Sequence, residues 1–260
     1  MTIRDFYSEF IILPFVIALV LVHIWGTRKN KRKAKGWITA HAPVLQQEFA
    51  SVGFSGIPKG LSADDAQFSG LAEILASDDL VIPEELLKNK SATEYITYAT
   101  GRQNVAFVDI KLSLAKRYNP VGWFGEEVLG FFFESQPAPK ERMEATNYVF
   151  DGKEGDLVPS ASGKQDADQK KEKFNSTYDG FVWAVVHKDA MRQLREGRYD
   201  LSLTTTKDHQ KLPNWVTVMS ESAEITDILL TPELVKAVHD AGEAMEALVI
   251  SDQPIDQPKK

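Results

Sequence analysis

The chain has 260 residues, no cysteine and a formal net charge of −7, and 43% of its residues are hydrophobic. Together with a mean hydropathy of −0.25, these averages exclude a polytopic membrane protein, a collagen and a wholly disordered chain. The absence of cysteine excludes disulfide frameworks, zinc knuckles, iron–sulfur clusters and thiol nucleophiles, and it fits a reducing compartment. The charge is unevenly distributed, because residues 1–36 carry +5 and the remainder carries −12.

The first predicted element is a hydrophobic segment long enough to cross a membrane. Residues 6–25 read FYSEFIILPFVIALVLVHIW, in which Glu9 is the only fully charged residue. Twenty helical residues span about 30 Å, which is the thickness of the bilayer hydrocarbon. A cleaved signal peptide would need basic residues before its apolar core and a small-residue cleavage site after it, and core helices rarely end in RKNKRKAK. We therefore predict a single retained transmembrane helix at 6–25.

A basic stretch follows this segment and predicts its orientation. It consists of Arg28, Lys29, Lys31, Arg32, Lys33 and Lys35. Because positive charge is retained on the cytoplasmic side, we expect residues 1–5 in the lumen and everything after Gly26 in the cytosol. Two glycosylation patterns, at Asn89 and Asn175, would then be unused. Three interpretations of the basic stretch remain open: binding to anionic lipid headgroups at about 1 kcal/mol per residue, contact with ribosomal RNA, and a topology signal only.

The next predicted elements are a helix and a hairpin. Residues 37–50 have apolar side chains at helical spacing, which predicts an amphipathic helix within a juxtamembrane segment at 26–60. Residues 94–100 are rich in β-branched and aromatic residues. Residues 105–115 alternate, with Val108, Ile110, Leu112 and Leu114 on one side, and the two segments together predict a hairpin around Gly101. A helix at 120–133 and a third strand at 142–150 are expected to follow.

The second half of the chain begins with a segment of different composition. Residues 151–173 are charged, contain Gly and Ser, and nearly lack large apolar groups, so we predict a mobile loop. Further elements are expected as a buried strand at 178–187, helices at 188–198, 222–230 and 232–241, and a strand at 247–250, before a polar tail at 251–260. Since the elements lack regular βαβ alternation, the predicted fold class is α+β: one mixed α+β cytosolic globular domain at 61–250, with two strand–helix halves.

The sequence lacks a recognisable catalytic or metal-binding pattern. None of its five histidines occurs in a His-x-x-x-His or His-Glu-x-x-His arrangement, and no nucleophile elbow, complete phosphate loop or dinucleotide fingerprint is present. Acidic pairs lack the calcium-loop pattern. We therefore predict no enzyme, no metal and no cofactor. Two alternatives remain open: a membrane-tethered enzyme with a site assembled from distant residues such as Asp109, His187 and His209, and a lipid-binding domain with an apolar cavity.

The aromatic residues of segment 120–133 form a second candidate contact surface. Trp123, Phe124, Phe131, Phe132 and Phe133 are concentrated on one helical segment. Core packing is the expected explanation for most of this group, although a five-residue aromatic cluster that proved exposed would offer a patch to a partner or to lipid. The candidate membrane or partner contacts are therefore the basic stretch together with Trp123, Phe124, Phe131 and Phe132.

Several runs of the sequence resemble a known family. They are residues 98–102 (YATGR), residues 112–117, residues 181–202 (FVWAVVHKDAMRQLREGRYDLS) and residues 212–238 (LPNWVTVMSESAEITDILLTPELVKAV). In order and spacing, over roughly residues 5–250, they resemble the calumin family, also called coiled-coil-domain-containing protein 47. The order of an amino-terminal anchor, a basic stop and a cytosolic globular domain is similar too.

The resemblance implies a non-catalytic adaptor of the endoplasmic reticulum membrane. Members of that family work in the PAT complex, an intramembrane chaperone for multipass membrane proteins. The partners implied are an Asterix-like small membrane protein, the Sec61 translocon, the ribosome, membrane lipids and client multipass proteins. The animal family also has an acidic lumenal segment linked to calcium and a carboxyl-terminal coiled coil. Neither is present in this sequence, so we expect either a fungal-like version without them or a truncated sequence, and neither a calcium role nor ribosome contact through that coil carries over.

Overall fold

Two sheets organise the chain. The computed structural model describes residues 7–54, 82, 86–132, 140–150 and 180–256, and the side chains of the first helix from Ile12 onward. They belong to two compact units, Met1–Ala161 and Ser162–Lys260, and each unit contains one sheet. The predicted lumenal residues 1–5 and the predicted loop at 151–173 lie outside the described residues, as does the predicted boundary near residue 60.

The first unit combines a long helix with a five-stranded antiparallel sheet. Helix α1 (Tyr7–Glu48) precedes strands β1 (Ser51–Val52), β2 (Lys88–Ser91), β3 (Glu94–Thr100), β4 (Val105–Ser113) and β5 (Arg142–Val149). Helix α2 (Pro120–Phe132) lies between β4 and β5 in the chain. The strand order is β1-β3-β4-β5, and β2 also pairs with β3.

The predicted hairpin is confirmed by the pairing of β3 with β4. Its register runs from Glu94 opposite Ser113 to Ala99 opposite Val108. Gly101 follows β3 with φ of 92°, a left-handed conformation that favours glycine. Alternate residues of both strands face the core, and these buried side chains are Tyr95, Thr97, Ala99, Val108, Ile110 and Leu112. The alternation seen in the sequence at 105–115 is present in β4, where Val108, Ile110 and Leu112 are the buried members.

Helix α1 covers that face of the sheet with its carboxyl-terminal half. Buried residues recur along it every four positions, at Gly26, Asn30, Ala34, Ile38 and Ala42. Because residues four apart lie on one helix face, they form a continuous stripe against the sheet. Ile38 and its alanine neighbours share one hydrophobic cluster with Tyr95, Val108 and Ile110.

Helix α1 is continuous from the hydrophobic segment to Glu48. The sequence predicted a separate amphipathic helix at 37–50, but the structure joins it to the preceding basic stretch without a break. Lysine and arginine predominate in the connecting residues and have high helix propensity. Pro14 and Pro43 are both accommodated within this helix.

Gly26 and Asn30 bring α1 close to the segment that follows β4. A Cβ atom on Gly26 would overlap the Arg117 carbonyl group and lie 2.5 Å from the Tyr118 nitrogen. One turn later, the buried Asn30 amide donates to the carbonyl oxygens of Ala92 and Ala115, each at 2.9 Å. Its Oδ1 accepts a hydrogen bond of 3.0 Å from Arg117. The burial of a polar side chain is thus compensated by three hydrogen bonds.

The second unit contains a four-stranded antiparallel sheet with the order β7-β8-β6-β9. Its strands are β6 (Val182–His187), β7 (Thr205–Lys207), β8 (Val216–Ser220) and β9 (Ala247–Ser251). Its helices are α3 (Lys188–Gly197), α4 (Tyr199–Ser202), α5 (Ala223–Leu229) and α6 (Pro232–Ala241), followed by a 3₁₀ turn at Gly242–Ala244. The buried strand, the last strand and the three longer helices that the sequence predicted are confirmed.

Strand β6 is buried on both faces and organises this unit. Trp183 and Val185 pack with Ile225 of α5 and Val238 of α6. The alternate residues Val182, Ala184 and Val186 pack on the opposite face with Leu201 of α4 and Met219 of β8. Both units therefore combine helices with antiparallel sheets, and the predicted α+β class is confirmed.

Two glycines of α1 are predicted to respond oppositely to alanine substitution. In Gly26→Ala the new methyl group meets the Arg117 backbone, and we expect a loss of about 1–3 kcal/mol in the free energy of unfolding, as for other overpacked sites. In Gly36→Ala no atom lies within 4 Å of the added Cβ, so the higher helix propensity of alanine should add about 0.5–1 kcal/mol. Pulse proteolysis of the 260-residue chain in detergent micelles across a urea series measures both changes. Equal changes would contradict the close approach at Gly26.

Candidate membrane-facing surface

The amino-terminal part of α1 exposes a continuous series of apolar side chains. Between Ile12 and Trp25, ten large hydrophobic side chains are exposed, with fractions from 36% at Leu19 to 62% at Leu13 and Phe15, whereas Val22 is half-buried. Among the described residues, α1 is the one helix that is long and apolar enough to cross a membrane. A helix in the core of a soluble protein would bury such side chains. Their exposure is the arrangement expected of a helix that contacts lipid.

The basic collar comprises Arg28, Lys29, Lys31, Arg32, Lys33 and Lys35, and it encircles most of the helix directly after this segment. All six residues lie on α1, at positions between those of the buried stripe. The Lys29 ammonium lies 4.8 Å from the centre of the Trp25 ring. At about 1.5 Å per residue, the collar starts about 5 Å beyond Trp25 and ends about 15 Å beyond it. The predicted span at 6–25 would end at Trp25, and the collar would then begin at the depth of the lipid headgroups.

Lys33 connects this collar to the sheet through Glu141. Its Nζ donates to Glu141 Oε2 at 2.5 Å, and the Ala115 backbone N–H donates to Oε1 at 3.3 Å. Arg117 donates both to Glu141 and to the buried Asn30. We call Asn30, Lys33, Arg117 and Glu141 the polar clamp, because together they attach α1 to the sheet.

The same partners determine the charge state of Glu141. The hydrogen bond from Arg117, assisted by those from Lys33 and the Ala115 backbone, lowers the pKa of Glu141 from 4.5 to about 2. Partial burial of the carboxyl group opposes this change but does not outweigh the two cations. Glu141 is therefore ionised at neutral pH, as the polar clamp requires.

Helix α2 exposes four of the five aromatic residues that the sequence analysis singled out, and the fifth, Phe133, lies outside the described residues. The exposed fraction is 86% for Phe131, 71% for Phe132, 66% for Phe124 and 43% for Trp123, and no residue of α2 is buried. The expectation that core packing accounts for most of this group is therefore wrong. The physical reason is that α1 already covers the sheet face on which Val108, Ile110 and Leu112 lie.

Helix α2 begins beside the hydrophobic segment of α1. A groove at this junction is lined by Leu19, Val20 and His23 of α1 and by Tyr118, Asn119 and Pro120 at the start of α2. The rings of His23 and Tyr118 meet edge to face with their centroids 5.5 Å apart. The tertiary structure thus places the start of the aromatic helix next to the hydrophobic segment and close to the basic collar, although they are about 90 residues apart in sequence.

The sequence analysis did not identify the four residues that hold α1 against the segments before and after α2. They are Gly26, Asn30, Arg117 and Glu141. Gly26 and Asn30 had a detectable signal, since they begin a series of small or apolar residues at four-residue intervals within a basic stretch. Arg117 and Glu141 had none. Their partners lie 87 and 108 residues away in sequence, and contacts at such separations leave no local pattern.

The residues of the enzyme alternative are divided between the two units. Asp109 lies exposed on β4 in the first unit, whereas His187 and His209 belong to the second. The His187 ring accepts a 3.2 Å hydrogen bond from the Asp189 N–H and so caps α3. His209 accepts a 3.3 Å bond from the Lys211 N–H in a turn. In the part of the chain that the structure describes, no group of three His, Asp or Glu side chains is placed to hold a metal ion.

Comparison with known proteins gives matches along almost the whole chain. The family model of PAT complex subunit CCDC47 matches residues 5–260. An endoplasmic reticulum membrane protein of Schizosaccharomyces pombe is 28% identical over 252 residues, which cover 96% of this chain and 56% of the relative. PAT complex subunit CCDC47 of Danio rerio is 21% identical over 255 residues, which cover 96% of this chain and 42% of the relative.

A second yeast relative matches a shorter part of the chain. An endoplasmic reticulum membrane protein of Saccharomyces cerevisiae is 28% identical over 170 residues, which cover 64% of this chain and 40% of the relative. The chain therefore spans about half the length of the curated relatives that it matches.

Acidification is predicted to weaken the polar clamp. Because the pKa of Glu141 is about 2 in the folded chain, below its usual 4.5, its stabilising contribution is complete above about pH 5 and is lost as the pH falls towards 2. Glu141→Gln should remove about 1.5–3 kcal/mol at neutral pH, the range for hydrogen bonds to a charged group, and should flatten this part of the pH profile. Circular dichroism in urea, between about pH 3 and pH 7, measures both.

Glu144→Gln is the matched control for this experiment. Glu144 lies three residues after Glu141, on strand β5, and its side chain is exposed. It should leave both the stability and its pH dependence nearly unchanged, as expected for a surface substitution. If the two variants behaved alike, Glu141 would not hold α1 to the sheet.

Proposed function

The chain belongs to the PAT complex subunit CCDC47 family, and on that premise we propose that it is a non-catalytic, single-pass adaptor of the endoplasmic reticulum membrane. In this role it assists the insertion and folding of multipass membrane proteins. The observation that carries the proposal is helix α1, which joins an exposed hydrophobic segment without interruption to the core of the first unit. The relatives named as endoplasmic reticulum membrane proteins support the same location.

We propose the following topology for this adaptor. Residues 6–25 cross the membrane, residues 1–5 lie in the lumen, and the domain at 61–250 and the tail at 251–260 lie in the cytosol, with 26–60 as the juxtamembrane segment. The six cations of the basic collar support this direction, because a cluster of Lys and Arg directly after a span is retained on the cytoplasmic side. The collar lies on the helix that emerges from the span, so its charge stays within a few helical turns of the bilayer surface.

The proposed partners are an Asterix-like membrane protein, the Sec61 translocon, the ribosome and client multipass proteins. Support comes from the relatives whose names make them PAT complex subunits. The positive charge of the collar suits an anionic neighbour such as lipid headgroups or ribosomal RNA. The aromatic helix offers an apolar surface next to the span.

Affinity purification tests the adaptor role. A tagged 260-residue chain, expressed in cells and extracted from native membranes in mild detergent, is expected to recover ribosomes, Sec61 and an Asterix-like protein. Arg28→Glu combined with Arg32→Glu should reduce ribosome recovery if the collar contacts RNA, since reversing two charges removes counterion-release affinity. Lys207→Glu, on the exposed strand β7, is the control for a charge change elsewhere. Recovery of none of these three partners by the unaltered chain would refute the adaptor role.

Glycosylation reports the orientation independently. Asn89, in the acceptor sequence Asn89-Lys90-Ser91, is exposed on β2 and would receive a glycan if the domain faced the lumen. We expect no mobility shift on endoglycosidase H treatment of the unaltered chain. Reversing the collar, with all six residues changed to Glu, should place part of the population in the opposite orientation and produce a glycosylated band. A glycan on the unaltered chain would overturn the proposed topology.

A further inference from the structure

We infer that α2 is a second membrane-embedded element, an interfacial helix whose aromatic face lies among the lipids at the junction of headgroups and acyl chains. This inference rests on the proposed membrane span but on none of the proposed partner proteins. Its occupant is lipid, and the argument depends on the depth, the length and the exposed face of α2.

The depth of α2 is set by its contacts with the span. Tyr118, Asn119 and Pro120 line a groove together with Leu19, Val20 and His23, and the Tyr118 ring packs against the His23 ring. Leu19 lies six residues before Trp25, which corresponds to about 9 Å along the helix axis. With the span placed at 6–25, the start of α2 therefore lies within about 9 Å of the hydrocarbon edge, on the membrane side. Interfacial helices bury their apolar faces by about 5–10 Å.

The position of the sheet is consistent with this depth. The overlap between a Cβ on Gly26 and the Arg117 backbone shows that the segment before α2 touches α1 one residue after Trp25. The polar clamp then holds Arg117 and Glu141 at the level of Asn30 and Lys33, beyond the end of the span. Charged groups thus lie on the aqueous side, and the chain enters α2 on the apolar side.

The length of α2 excludes a second crossing of the bilayer. Its 13 residues extend for about 20 Å, whereas crossing the hydrocarbon takes about 30 Å. An apolar helix of this length that begins near the hydrocarbon edge remains within one leaflet. Its backbone hydrogen bonds are made within the helix, which a lipid environment requires.

One face of α2 is suited to lipid. At about 100° per residue, its four most exposed apolar residues fall within an arc of about 100°; they are Val121, Phe124, Phe131 and Phe132. Glu126 lies on the opposite side and pairs with Lys116, so its charge is compensated by the protein. Glu127 is exposed at the border of the arc, where a headgroup layer can solvate it.

Lipid is the favoured occupant because the apolar face continues an apolar surface that must already contact lipid. The exposed side chains of the span reach Trp25, and α2 starts beside the last two turns of that span. A protein partner that covered α2 would have to enter the bilayer at the same depth. The basic collar lies next to it on α1, as expected for an interfacial anchor that also attracts anionic headgroups.

Site-specific labelling tests this placement, and the chain suits it because it contains no cysteine. Single variants Phe124→Cys and Phe132→Cys, labelled with nitrobenzoxadiazole, are reconstituted as the 260-residue chain in vesicles of phosphatidylcholine and phosphatidylinositol. Val20→Cys serves as the control in the span and Asn147→Cys as the control in water, since Asn147 is exposed on β5. Quenching is measured with nitroxide-labelled lipids and with aqueous iodide.

We expect labels at 124 and 132 to be quenched several-fold more by nitroxide lipids than the label at 147, and several-fold less by iodide. Iodide quenching at 124 and 132 equal to that at 147 would overturn the inference. Protection of both labels from iodide and from nitroxide lipids would overturn it as well, because a second copy of the chain would then cover α2.

A further variant separates this inference from the proposed span. Phe131→Asp with Phe132→Asp should lift α2 from the lipid, so that a label at 124 becomes accessible to iodide, while the chain resists alkaline extraction because α1 still crosses the membrane. Phe131→Leu with Phe132→Leu is the matched apolar control and should keep the label protected. When Phe131 and Phe132 are unaltered, extraction of the chain by alkali would refute the span itself. Resistance to extraction combined with an iodide-accessible label at 124 would refute only the interfacial helix.

Discussion

The close packing of α1 against the segment after β4 is the contact on which the first unit depends. At Gly26 the two backbones approach so closely that no side chain fits between them. One turn later, Asn30 fills its buried position with three hydrogen bonds to groups from two different loops and Arg117. A glycine allows the approach, and an asparagine satisfies carbonyl groups that the approach would otherwise leave buried and unpaired.

The packing of α1 at Gly26 and Asn30 also determines where the basic collar and helix α2 lie. Because α1 is one helix from the hydrophobic segment to Glu48, its stripe of buried residues also sets the direction of the basic collar. The cations occupy the remaining sides of the helix, and Lys33 at the border joins Glu141. The same contact places the start of α2 beside the hydrophobic segment. One packed helix face therefore organises the hydrophobic segment, the collar and the aromatic helix together.

The second unit has a different organisation. Its helices and its central strand have local sequence signals, so the sequence predicted them better than it predicted the long-range contacts of the first unit. Strand β6 is covered on both faces, so its residues form a continuous apolar run from Val182 to Val186. Helices α5 and α6 are capped by Ser222 and Thr231, whose side chains accept hydrogen bonds from the backbone N–H groups of Glu224 and Leu234. These are local signals, an apolar run and side-chain caps, and each can be read within a few residues. His187 and His209, the histidines of the enzyme alternative, also take part in such local structures.

The sequence by itself determined the elements whose causes are local. The hydrophobic segment at 6–25, the composition of β3, the alternation in β4, the apolar run of β6 and the α+β class follow from periodicity and composition within short windows. Only the tertiary structure decided the exposure of Phe131 and Phe132 and the function of Gly26, Asn30, Arg117 and Glu141. An aromatic helix reads alike whether it faces a core or the outside, because periodicity reports that one face is apolar and not what covers that face. The polar clamp joins residues about 90–110 positions apart, and such contacts exist only once α1 lies on the sheet.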